Sequence, residues 1–337
     1  MTVAPPNPVP PPGARPLLRV RGLCKYFPVY KRGFLKKQIG MVRAVDDVSF
    51  DLMPGETLGL VGESGCGKTT TGRTILRAYA PTSGQVLFRD NSRTVDLAAL
   101  PEKDLKPLRT KMQMIFQDPF SSLNPRMTVQ DIVAEPLVIH RLARGSELDD
   151  RVGEILRKVG LKPEHRTRYP HAFSGGQRQR IGIARALIMH PQLVVCDEAV
   201  SALDVSVQAQ VINLLQDLQQ DLGATYIFIV HDLSVARHIS DRIAVMYAGR
   251  IVEMAPARDL FAEPRHPYTR TLLAAVPIPD PDLPMDTKLK GEPVDCGNLP
   301  PGCSFHPRCP LAIDRCRKEP PQLREIGLGR SVSCHAI

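Results

Sequence analysis

No stretch of this 337-residue chain approaches the ~18 uncharged apolar residues that a membrane-spanning helix requires. Nor does its start, MTVAPPNPVPPPGARP, contain the apolar run of a secretory signal. Both absences lead to the expectation of a cytoplasmic protein. Acidic side chains are missing from residues 1–43, which hold Arg15, Arg19, Arg21, Lys25, Lys31, Arg32, Lys36, Lys37 and Arg43, while the rest of the chain balances at 35 basic against 35 acidic residues. Such an arm either leans on anionic headgroups or an acidic partner, or is a solvated surface. No nucleic-acid motif accompanies it, so no nucleic-acid partner is expected. Disulfides are not expected either, because the thiols of the eight cysteines stay reduced in that compartment.

Apolar residues at 43% and charged residues at 23% are those of a folded globular protein. Single cores stop growing at roughly 250–300 residues, so one large domain and a smaller one are expected. Residues 1–16, with seven prolines and no periodicity, read as a disordered leader. Residues 17–277 read as one α/β domain, and residues 278–337, where proline is dense again, as a small module. LLRVRGL and VRAVDDVSFDL read as strands on either side of the basic insert PVYKRGFLKKQIG. A buried strand at 57–61, a glycine-rich turn and a helix from about Lys68 follow. Strands are expected at SGQVLFRD (83–90) and at the start of QMIFQDPFSSLNP. Spaced apolar residues such as Val152, Ile155, Leu156 and Val159 make 127–171 mostly helical, within a helical subdomain of about 120–190. After FSGGQRQR, a helix to about Met189, the strand QLVVCDEA, a helix over 206–222 and the strand TYIFIV continue the alternation. RIAVMYAGRIVEM reads as a hairpin and HPYTRTLLAAVP as a short helix. Alternating strands and helices imply a parallel sheet covered on both faces.

Gly62-Glu63-Ser64-Gly65-Cys66-Gly67-Lys68-Thr69 fits G-x-x-x-x-G-K-[ST] in the strand-to-helix setting that the motif needs. The glycines Gly62, Gly65 and Gly67 let backbone N–H groups curl around phosphate oxygens. Lys68 neutralises β/γ charge, and the Thr69 hydroxyl takes Mg²⁺ beside Thr70. Val194-Val195-Cys196-Asp197-Glu198 is an apolar strand delivering two acids at its C-terminal edge, where open α/β sheets bind ligands. Asp197 is expected to hold Mg²⁺ and Glu198 to orient and polarise the attacking water.

Through these motifs, residues 17–277 resemble an ABC-type ATPase. The resemblance implies a P-loop NTPase fold with a RecA-like parallel sheet core, an antiparallel β subdomain, a helical subdomain and here a small Cys-rich C-terminal module. Phe173-Ser174-Gly175-Gly176-Gln177 is similar to the family signature, with Phe at a position usually held by Leu. In that family the signature loop covers the ATP held by a second subunit, so that two ATP molecules are clasped between paired ATPases. The resemblance further implies that Gln117 senses Mg²⁺ and touches the membrane subunit, that Ser201-Ala202-Leu203-Asp204 crosses the dimer interface, and that His231 contacts the γ-phosphate. Phe27, or alternatively Tyr26, would stack on adenine. Ala199 stands where many relatives carry Pro, with both acids kept.

QDPFSSLNPRMTV, CDEAVSALDVSVQAQVINLL, HPYTRTLLAAVPIPDPD and PPGCSFHPRCPLAIDRC narrow the likeness to the ATP-binding subunit of a bacterial dipeptide/oligopeptide importer, of the F-type within a nonidentical pair. This implies a second ATPase, two permeases, an extracytoplasmic peptide-binding protein and a peripheral place on the cytoplasmic face of the inner membrane. A nickel or glutathione importer, or a regulatory subunit with low turnover, are the alternatives.

Cys303, Cys309, Cys316 and Cys334 place four thiols in a Pro-rich segment too poor in apolar residues to build its own core, and metal can supply that stability. Zinc sites commonly use C-x₂₋₄-C pairs, whereas the gaps here are longer, which favours an iron–sulfur cluster on four thiolates. The resemblance implies [4Fe–4S]. Zinc and plain reduced thiols are the alternatives, and Cys296, His306 and His335 are possible substitute ligands. Cys66, inside the loop, is expected to be alkylated with loss of ATP binding.

Overall fold

The computed structural model describes residues 15–31, 37–91, 93–118, 122–275, 294–327 and 329–337. Most of the Pro-rich leader, part of the basic insert and the expected boundary near 278 lie outside the described residues. In chain order come β1 (Leu18–Tyr30), β2 (Gln38–Leu52), β3 (Thr57–Val61), α1 (Lys68–Ile75), β4 (Ser83–Asp90), β5 (Arg93–Asp96), α2 (Glu102–Leu108) and β6 (Met112–Ile115). They are followed by α3 (Val129–Ile139), α4 (Ser146–Lys158), α5 (Gly175–Leu187), β7 (Leu193–Asp197), α6 (Val205–Leu222) and β8 (Thr225–Ile229). The walk ends with α7 (Leu233–Ile239), β9 (Arg242–Tyr247), β10 (Arg250–Pro256), α8 (Ala257–Ala262), α9 (Pro267–Ala274), β11 (Arg324–Gly327) and β12 (Arg330–Val332).

Two compact units result: Met1–Leu52 with Thr57–Ala99 and Val230–Ile337, and Met53–Glu56 with Leu100–Ile229. In the first, an antiparallel sheet runs β2-β1-β4-β5. A second set of strands runs β11-β12-β10-β9-β3, with β3 parallel to β9 and the remaining neighbours antiparallel. In the second unit β8, β7 and β6 pair in parallel, and α3, α4 and α5 pack on one another. Every residue of β3, β7 and β8 is buried, which is why these strands read as unbroken apolar runs rather than alternating ones.

Caps set the helix ends. Thr128 and Asp131 form a capping box on α3, and Ser174 and Gln177 form one on α5. The second box starts α5 at Gly175, so Gly175, Gly176 and Gln177 form the first turn of the helix and not a loop before it. On α4, Val152, Ile155 and Leu156 are buried on one face, as their spacing predicts. The strands β11 and β12 lie where the sequence shows no periodicity. They are short and half-exposed: β12 pairs with the edge of β10 at Glu253 and Met254, and β11 pairs with β12.

His266 caps α9: its Nδ1 accepts the Tyr268 N–H at 3.0 Å while Glu253 accepts the His266 and Arg265 N–H groups at 2.8 Å. Burial pushes the His266 pKa from 6.5 down to about 4. The unfolded chain takes up this proton near pH 6.5 and the folded chain does not until near pH 4. Stability is therefore whole above pH 6.5 and falls toward pH 4, by roughly 3 kcal/mol at about 1.36 kcal/mol per pH unit. Denaturant titrations across this range should show that slope, and His266→Asn, which keeps a cap acceptor, should flatten it. An unchanged slope in the variant would contradict the assignment.

Candidate functional site

Each unit carries some of the residues expected to act on phosphate, placed by its own local constraints. In the first, the chain leaves β3 at Val61 and turns through residues 62–70 into α1. Gly62, Gly65 and Gly67 take φ of 151°, 79° and 106°, which side chains resist. A Cβ on Gly62 would run into the Met246 carbonyl and the Cys66 sulfur, and one on Gly67 into the Ala44 carbonyl. Glycine is thus required both for torsion and for clearance. Gly67 caps α1 in the left-handed conformation, and the first turn holds no acid, so the positive end of the helix dipole is left uncompensated. Lys68, 5% exposed, donates from Nζ to the carbonyls of Gly62 at 2.7 Å and Glu63 at 3.0 Å, which puts its charge within the arc of the loop. Thr69 and Thr70 follow on the first turn of α1, where Thr74 Oγ1 donates to the Thr70 carbonyl.

Cys66 is buried, and burial pushes its thiol pKa up. A buried thiol with little thiolate is a poor nucleophile, which weighs against ready alkylation. Phe27 lies on β1, edge-on to Tyr79 at 5.7 Å and with the Lys25 ammonium 4.9 Å from its ring centre. The Tyr26 hydroxyl is tied inward: it donates to Asp46, which also accepts from Arg250 Nε at 2.8 Å. His231 is exposed, two residues beyond β8.

In the second unit β7 ends on Asp197, 1% exposed, and the chain turns sharply at Glu198, whose φ is 49°. That left-handed torsion is costly for a residue with a side chain. It is held by the Glu198 N–H donating to the Ile229 carbonyl and by Ser201 donating from N and Oγ to the Glu198 carbonyl. The Glu198 carboxylate accepts from Gln117 Nε2 at 2.7 Å, so two residues 81 positions apart meet. Ser174 is exposed, and its Oγ accepts from the Gln177 N–H while the Gln177 side chain accepts from the Ser174 N–H. Gly175 and Gly176 open α5, and a Cβ on Gly176 would strike Val207 of α6. Phe173 is buried, the apolar environment its position calls for. Asp204 caps α6: the Val207 N–H and then the Ser206 hydroxyl hold its carboxyl below the usual range.

The C-terminal thiols are gathered but do not form a closed donor set. The Cys303 N–H donates to the Cys316 carbonyl at 2.8 Å, and burial, together with the neighbouring Cys316, Cys309 and Cys334, pushes the Cys303 pKa up to about 11. Among the described residues, no three His, Cys, Asp or Glu side chains stand at metal-holding distance. The residues as placed therefore do not by themselves make a metal centre.

Sequence reasoning missed Tyr268, whose hydroxyl accepts the Glu63 N–H at 2.9 Å, and Arg308, which pairs with Glu63. A signal was present: an acid inside a phosphate-binding loop calls for a fixed cation.

Residues 45–201 match the ABC transporter family, and residues 252–316 match the oligopeptide/dipeptide transporter C-terminal region. The chain is 52% identical to the probable peptide ABC transporter ATP-binding protein y4tS of Sinorhizobium fredii, over 95% of its length and 89% of the relative's. It is 50% identical to the oligopeptide transport ATP-binding protein AppF of Bacillus subtilis, over 95% and 97% of the two chains. Among solved structures it resembles the ATP-binding cassette MJ0796 in a dimeric, post-hydrolysis state bound to ADP and Pi, with a TM-score of 0.61 and 29% identity, over 72% of this chain and 99% of that one. The cbiO1 protein of Clostridium perfringens matches with the same TM-score at 26% identity, over 74% and 91%. Half its residues shared over nearly full length, with both regions in order, the chain belongs to the ABC transporter ATPases, in the group of peptide and oligopeptide transporter ATP-binding proteins with the C-terminal region of that group.

Proposed function

We propose that this chain hydrolyses ATP to energise import of di- or oligopeptides through two membrane permeases supplied by an extracytoplasmic binding protein. The observation that carries the reading is the loop at residues 62–70, where three left-handed glycines and the inturned Lys68 make an anion cradle ahead of α1. The relatives' names supply the peptide. The further partners belong to the same proposal: a second, nonidentical ATPase, with this chain the F-type member, and a peripheral place at the cytoplasmic face of the inner membrane. Among the described residues no helix is long and apolar enough to cross a membrane.

The amides of the loop and Lys68 bind the β- and γ-phosphates. The Thr69 hydroxyl and the Asp197 carboxylate, with Gln117, are hard oxygen donors that fit Mg²⁺, which when bound neutralises phosphate charge. Glu198, aimed by Gln117, orients the attacking water and accepts its proton. His231 senses the γ-phosphate, and Phe27 stacks on adenine. At the head of α5, Gly175 and Gly176 offer N–H groups and Ser174, braced by Gln177, its hydroxyl to the γ-phosphate held by the partner ATPase, and Asp204 lies on the loop that meets the partner.

We also propose that Cys303, Cys309, Cys316 and Cys334 take up metal, an iron–sulfur cluster in preference to zinc. The soft sulfur donors and the nearness of Cys316, Cys309 and Cys334 to Cys303 support it. To ligate, the four side chains must come to metal-holding distance, and no step of the ATP cycle is routed through the site. Protein purified anaerobically should be brown, with iron and sulfide in equal amounts. Colourless protein free of iron would contradict the cluster.

In vesicles carrying the assembled transporter, labelled peptide should accumulate only with ATP, and Glu198→Gln should lower turnover by at least about a hundredfold while nucleotide stays bound. Accumulation of nickel ion or glutathione in place of peptide would overturn the substrate. Undiminished turnover would overturn the role of Glu198.

A further inference from the structure

Every polar group of Glu63, the second residue of the phosphate loop, is engaged. Its carbonyl accepts from Lys68 Nζ at 3.0 Å, and its N–H donates to the Tyr268 hydroxyl at 2.9 Å. Its carboxylate accepts a two-pronged contact from Arg308, Nη1 at 3.0 Å and Nη2 at 3.1 Å. Arg308 lies 245 positions away, in the Cys-rich C-terminal segment, and its side chain is only 5% exposed.

The fork is set by an aromatic anchor. Phe305, 1% exposed, packs edge-to-face against Tyr247 at 5.2 Å and Tyr268 at 5.4 Å, and Tyr247 and Tyr268 lie 4.7 Å apart. A short turn, His306–Arg308, closed by the Arg308 N–H donating to the Phe305 carbonyl, then presents the guanidinium to Glu63. Tyr268 therefore holds the loop backbone and also receives the module's anchor. On the other side of the loop, Cys296 of the same segment donates from Sγ to the Gly65 carbonyl at 3.8 Å, and its own carbonyl accepts the Arg43 N–H.

A planar guanidinium bonded twice to a carboxylate fixes direction as well as distance, which a single charge contact does not. Glu63 shares a peptide unit with Ser64, and its carbonyl lies on the lysine, so a tilt of Glu63 changes where the loop amides point and where Lys68 rests. We propose that Arg308 is a positioning residue for ATP binding, through which the C-terminal module holds the phosphate loop in its anion-binding form. It touches no nucleotide and acts through Glu63. The inference rests on residues 62–70 binding ATP phosphates, and adds that the module is part of what makes them do so.

A double-mutant cycle on the full chain tests it, with a fluorescent ATP analogue and Mg²⁺ as the probe. Arg308→Gln and Glu63→Gln should each raise Kd roughly tenfold. The double variant should be no worse than the poorer single one. In the assembled transporter the loss should fall on KM for ATP more than on kcat. A structural tie alone shifts the melting temperature but leaves affinity untouched. Folded Arg308→Gln protein with Kd within twofold of wild type would overturn the proposal, as would additive effects near a hundredfold. If Arg308→Gln does not fold, Arg308→Lys serves, since it keeps charge but loses the fork. An intermediate rise in Kd supports the role, and wild-type affinity overturns it. Wild-type protein that binds no analogue is a separate failure, that of the phosphate loop itself.

Discussion

A loop that grips phosphate with its backbone must aim several N–H groups at one point, and a chain with side chains cannot fold that way. Much else in this protein follows from that constraint. Three residues at left-handed or extended-positive torsions have to be glycine, and two of them also have to clear carbonyls that pass behind the loop, at Met246 and Ala44. The strand feeding the loop has to be buried on both faces to be rigid, which β3 is at all five positions. Lys68 lies against the loop carbonyls, so a positive charge is held at the loop in advance of any anion.

The same economy appears in the second unit, where strain sits beside chemistry. Glu198 accepts an unfavourable torsion, offset by three hydrogen bonds through its backbone, and so leaves the line of β7 with its carboxylate against Gln117. Ser174 and Gln177 satisfy each other's N–H groups at the head of α5, which leaves the glycines after them to define that helix end. Both arrangements keep polar groups in fixed directions.

What could be read from the sequence was local. The glycine spacing, the lysine after it, the apolar run before the acids at 197 and 198 and the amphipathic pattern of α4 each depend on a few adjacent residues, and the structure places these elements as that pattern requires. The start of α5 was misjudged because glycines look like a loop, while a capping box outweighs their poor helix propensity. β11 and β12 were invisible because β12 takes its strand form from the edge of β10, where Glu253 meets Val332 far along the chain, and β11 from β12. The Arg308–Glu63 pair was hidden for the same reason, since nothing near Arg308 in sequence distinguishes it from the other arginines of a basic chain. The presence of four thiols was legible from the sequence, but their spacing does not say how near to one another the side chains lie.

Equilibrium titration of the purified chain with ATP and Mg²⁺, wild type against Lys68→Ala, tests the phosphate loop most directly. If residues 62–70 cradle the phosphates, loss of the ammonium weakens binding by roughly a hundredfold, the worth of one or two hydrogen bonds to a charged group. Equal affinity in the two proteins, both folded, would contradict it.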